Sequence, residues 1–72
     1  MMNLYDVVAL LEDLPAEGLK RGQVGTLIEE WEPSIYEVEF ADTNGITYAM
    51  VALREDQLMV LYWHPFQAKQ SA

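Results

Sequence analysis

Tyr36-Glu37-Val38-Glu39-Phe40-Ala41-Asp42-Thr43-Asn44-Gly45-Ile46 is the stretch on which the fold turns. Tyr36, Val38 and Phe40 alternate with Glu37 and Glu39, which is the period of a strand with one buried and one solvated face. Asn44-Gly45 then marks a tight hairpin. The two residues that best tolerate positive φ stand side by side, and a type I′ turn needs both. The turn predicts a strand ending near Asp42 and another running from Ile46 to Leu53.

Working outward, Arg54-Glu55-Asp56-Gln57 is a short polar break, read as one turn of 3₁₀ helix near residues 54–57. Leu58 to Tyr62 is the last strand. On the other side, Thr26 to Trp31 is strand-like, and Glu32-Pro33-Ser34 supplies a turn in which proline sets φ. Pro15 and the glycines at 18, 22 and 25 make the preceding segment a long loop, which Leu19 pins to the core. The first segment is ambiguous. Leu4, Val7, Val8, Leu11 and Leu14 fit helical spacing with Asn3 as a cap, yet Tyr5 to Leu11 also reads as a buried strand. Five short strands with turns at this spacing predict a small all-β barrel or sandwich. Its core is expected to draw on Val7 or Val8, Leu10, Val24, Leu27, Val38, Phe40, Leu53 and Leu58.

Composition bounds what such a domain does. Seventy-two residues hold one domain, which residues 1–64 are expected to form, with 65–72 as a flexible polar tail. A chain this short buries only about 60% of its unfolded surface, so self-association is a natural aid and a homodimer fits the reading. Cysteine is absent, which removes disulfides and thiolate metal sites. Twelve acids against four bases give a net charge of −8. That charge disfavours nucleic acid and anionic membranes, and it favours a basic protein as partner. No run approaches the ~20 apolar residues of a membrane span, and the first residues lack the basic-then-apolar order of a leader. A cytoplasmic location is the default expectation.

Self-sufficient chemistry finds little support. His64 is the single histidine and has no acid within six residues. Ser34 and Ser71 lack the strand-to-helix glycine setting of a nucleophile elbow. The three loop glycines do not follow a phosphate-cradling spacing. No enzyme activity, cofactor or metal is therefore expected. Two features remain. Glu29, Glu30, Glu32, Glu37, Glu39 and Asp42 crowd one predicted hairpin, where they could hold a hard cation, meet a basic protein, or simply be the wet face of a strand. Trp31, Trp63 and Phe66 flank turns or strand ends and could form an exposed aromatic patch.

The segments Asp6-Val7-Val8-Ala9-Leu10, Asp13-Leu14-Pro15 and Gly18-Leu19-Lys20-Arg21-Gly22-Gln23-Val24-Gly25-Thr26 lead into Tyr36–Phe40, the Asn44-Gly45 hairpin and Leu53 to Leu58. In this order they resemble the short bacterial proteins grouped as domain of unknown function 4926, over roughly residues 4–61. That family has no established activity, so the resemblance assigns no functional residue. More distantly the layout is similar to small SH3-like barrels, such as the small accessory protein of the photosystem I reaction centre and the variable chain of ferredoxin–thioredoxin reductase. Val24-Gly25-Thr26-Leu27 sits at their turn into the second strand. The chain departs from both in its acidity. The resemblance implies a strand for the first segment and a five-stranded SH3-like barrel for the whole.

The functional expectation is a non-catalytic protein-binding module. It would meet a basic partner through Glu29, Glu30, Trp31, Glu32, Glu37, Glu39, Trp63 and Phe66. An antitoxin or immunity-type protein that masks a small basic toxin is its sharper form. The alternative is a small accessory subunit that stabilises or regulates a larger enzyme.

Overall fold

A computed structural model describes residues 2–62. Trp63, His64, Phe66 and the expected tail lie outside the described residues. The fold is all-β. Strands β1 (Val7–Leu10), β2 (Val24–Glu32), β3 (Ile35–Ala41), β4 (Thr47–Arg54) and β5 (Leu58–Val60) form one antiparallel sheet in the order β4-β3-β2-β1-β5. Two 3₁₀ turns punctuate it, at Pro15–Glu17 and at Glu55–Gln57, the second where the polar break predicted one. The first strand pairs with both its successor and the last strand, an arrangement consistent with an SH3-like barrel.

The first segment is a strand, and the reason is non-local. β1 is flanked by β2 through Val8↔Gly25 and by β5 through Val8↔Val60, so both its edges are hydrogen-bonded. A helix in these residues would leave the edges of β2 and β5 bare. Leu19 does pin the long loop. It is buried and exchanges backbone bonds with Leu14 in both directions, at 2.9 and 3.1 Å.

The core is made of Val8, Leu10, Leu19, Leu27, Tyr36, Val38, Phe40, Leu53 and Leu58. Of the expected pair at the first strand, Val8 is inside and Val7 is half-buried. Val24 does not belong to the core. It is 45% exposed, because β2 is regular between Val24 and Leu27 and residues of opposite parity face opposite sides. Gly25 takes the inward place beside it. A Cβ there would lie 2.7 Å from a Val38 methyl and 2.8 Å from the Glu39 carbonyl oxygen, so the strands close only over glycine.

The β3–β4 hairpin stands where Asn44-Gly45 placed it, but its turn is different. Only Gly45, at φ +81°, has positive φ in the loop, so the type I′ turn is excluded. Gly45 N–H donates to the Asp42 carbonyl and Asp42 N–H to the Ile46 carbonyl, each at 2.9 Å. This is a three-residue loop, Thr43-Asn44-Gly45, with the glycine in the left-handed position that closes the bulge. The side chain of Asp42 made the difference. Its Oδ1 accepts from Asn44 N–H at 2.8 Å and from Ile46 N–H at 3.0 Å, which locks the longer loop.

Candidate functional site

β3 faces two ways. Tyr36, Val38 and Phe40 are buried, and Ile35, Glu37 and Glu39 lie on the opposite, outer side. Register carries this side across three strands. Thr26, Glu39 and Met50 form one row; Glu29, Glu37 and Ala52 form the next; Glu32, Ile35 and Arg54 form the last. Four carboxylates therefore share one face of β2-β3-β4.

Two irregularities in β2 bring this about. The register shifts between Leu27 and Glu29 and again between Glu30 and Glu32, which leaves Ile28 and Trp31 as extra residues. On an unbroken strand Glu29 would share the inward side of Leu27. The first bulge turns it outward, opposite Glu37. The second returns Glu32 to the same face.

Trp31 is 58% exposed, and its indole Nε1–H donates to Glu37 Oε1 at 2.8 Å. This hydrogen bond sets the ring beside Glu37 in the acidic row. Thr47 Oγ1 similarly bonds Glu39 Oε2. Cations are scarce here. The chain has no Lys or Arg from Gly22 to Leu53, and Arg54 turns to Asp56, with Nε 3.0 Å from Oδ1. Like charges directly opposite on neighbouring strands are unfavourable, so the Glu29–Glu37 pair sits uncompensated by any base of its own strands.

The structure separates Glu30 from this set. It pairs with buried Tyr36 and falls on the inner side, at the rim of a shallow groove with Met2, Asn3, Ser34 and Glu55. Burial pushes the Tyr36 phenol above its ordinary pKa, and the carboxylates of Glu30, Glu55 and Asp6 push the same way. The hydroxyl donates to the Met2 carbonyl at 3.4 Å. Asp42 is also apart, occupied with its turn. Of the expected site residues, then, Glu29, Trp31, Glu32, Glu37 and Glu39 are brought together, Glu30 is not, and Trp63 and Phe66 lie outside the described residues.

The sequence reading missed Met50, whose exposed side chain lies beside Glu39. Its place in the run Tyr48 to Leu53 hid it, because an apolar run does not say which of its members face out. Gln57 was missed too. This buried side chain accepts from Arg54 N–H at 2.8 Å and donates to Glu12 at 2.9 Å, which ties the second 3₁₀ turn to the end of β1. Among the described residues, no group of three or more His, Asp or Glu is placed to hold a metal ion.

A family model described as a domain of unknown function, DUF4926, matches residues 4–60. The chain belongs to the DUF4926 family. The match runs from just before β1 to the end of β5, so it covers the whole sheet, including the acidic face. No curated protein and no solved structure matches the chain. Among the described residues no helix is long and apolar enough to cross a membrane.

Proposed function

We propose that this DUF4926 chain is a non-catalytic docking module, whose outer β2-β3-β4 face receives a basic protein surface. The Trp31–Glu37 hydrogen bond across a base-free row of carboxylates carries the reading. An exposed tryptophan is a frequent energetic anchor of interfaces. Here the bond to Glu37 favours one rotamer, which lowers the entropy lost on binding. Around it Glu29, Glu32, Glu37 and Glu39 supply a potential that speeds encounter with a cationic partner and rejects an anionic one. A Lys or Arg entering between Glu29 and Glu37 would relieve their mutual repulsion.

A partner that itself binds nucleic acid fits this chemistry, since such proteins must display basic surfaces. Masking a small basic toxin is the narrowest form of the proposal. It rests on charge alone.

The test is co-purification from the native host with the wild-type chain and with a Glu37→Lys, Glu39→Lys double variant of unchanged circular dichroism. A stoichiometric basic partner retained by the wild type, weakened about tenfold or more by the reversal and released by high salt, is the expected result. A partner held equally by both chains, or held equally at high salt, would reject the acidic face. It would turn attention to an accessory role in a larger enzyme, built on apolar contacts.

A further inference from the structure

β4 ends the sheet. One of its edges is paired with β3 from Arg54 to Thr47, and the strand order gives the other edge no neighbour among the described residues. A free strand edge exposes a row of N–H and C=O groups, which proteins shield with lysine, proline, bulges or brevity. β5, at the opposite end of the sheet, is shielded by brevity, with three residues. β4 has eight. From Thr43 to Leu53 the chain carries neither a charge nor a proline, and the register with β3 is unbroken from Arg54 to Ala49. Ile46, Tyr48 and Met50 are each at least half exposed along it, at 62%, 50% and 51%. Among the described residues, the edge group with a cap is Arg54 N–H, bonded to Gln57 at the strand's very end.

We propose that β4 is the seam of a homodimer, in which two copies pair β4 to β4, antiparallel about a two-fold axis. Charge complementarity between the two ends of β4 points to a second copy as the occupant. With a net charge of −8, two copies repel over most of their surface, and the uncharged Thr43–Leu53 stretch is a place where they can approach. Antiparallel pairing then sets Arg54 of one copy at the Thr47 end of the other. That end carries the carboxylates of Glu39, bonded to Thr47, and Asp42, at the adjoining turn. The cation of each copy meets the acids of the other at both ends, which is the self-complementarity a two-fold interface requires. The axis stands perpendicular to the joined sheet, so both outer faces point the same way. The pairing does not depend on what those faces bind.

Sedimentation equilibrium of the full chain, from about 1 µM to 1 mM, tests the proposal. A monomer–dimer equilibrium is expected. Met50→Lys and Ala52→Lys, both at exposed positions, should each raise its dissociation constant about tenfold or more while the circular dichroism stays native. The chain has no cysteine, so a single introduced thiol reports only on self-contact. Met50→Cys should give a disulfide dimer on mild oxidation, and Met59→Cys, equally exposed but on β5, should give far less. Three results would overturn the proposal: a monomer at every concentration, which would leave the edge to a foreign strand; a dimer indifferent to both lysines; or cross-linking at Met59 as ready as at Met50.

Discussion

The two hairpins that flank β3 are built on opposite terms. At the β3–β4 end, every local choice favours the turn. Asp42 satisfies two loop N–H groups, and the one left-handed position is occupied by glycine. At the β2–β3 end, local choices oppose the geometry. Pro33 is followed by Ser34 at φ +70°, a position that a type II turn reserves for glycine. Two bulges interrupt β2, and Glu29 lies opposite Glu37. One hairpin is arranged for folding. The other accepts strain and repulsion, and it is the one that holds Trp31 over the acidic row. Strain that folding alone does not explain gathers where proteins act.

Substitutions break or sharpen this contrast through their sign. Asp42→Ala should have the largest effect. It removes two bonds to loop N–H groups and should lower stability by about 1–2 kcal/mol in urea unfolding. Gly45→Ala follows at about 1 kcal/mol destabilising, since the left-handed conformation outweighs the entropy gained. At the other hairpin the sign should reverse. Ser34→Gly should stabilise by about 0.5–1 kcal/mol, because it relieves the positive φ. Glu29→Lys should stabilise by roughly 0.2–1 kcal/mol by turning a like-charge pair into an opposite one, and it should weaken docking at the same time. Loss of stability at Ser34→Gly and Glu29→Lys would end the contrast.

The smallest effect is one of pH. Tyr36 lies on β3 at the strained end, and its folded pKa is raised above 10.0 by burial and then by Glu30, Glu55 and Asp6. The unfolded phenol ionises first. Above about pH 10 the native state therefore binds more protons than the unfolded one, and stability falls as pH rises toward the folded pKa. Below pH 10 the contribution is fully present. Tyr36→Phe should flatten that alkaline fall, as read from urea midpoints on either side of pH 10. An unchanged slope would show that the other tyrosines carry it.

Much of the fold was legible because its signals are local. The alternation at Tyr36–Phe40 named both faces of β3, Asn44-Gly45 located a hairpin, and the polar break at 54–57 marked a 3₁₀ turn. The acidic face was half legible. Glu37 and Glu39 follow from alternation, whereas Glu29 and Glu32 reach the same side only through the two bulges. Glu30 was grouped with them because sequence proximity does not show parity once a strand is bulged.

By itself, then, the sequence determined an all-β chain without disulfides, its strand alternation, the site of its β3–β4 turn and a base-free acidic stretch, since each is a property of neighbours along the chain. The tertiary structure alone decided which partners hold the first strand on both edges, that Val24 faces water, that Asp42 enlarges its turn, and which glutamates stand together. The reason is physical. Those outcomes depend on hydrogen bonds and contacts between residues far apart in sequence, such as Val8 with both Gly25 and Val60, and a single extra residue in one strand reverses the face of everything after it.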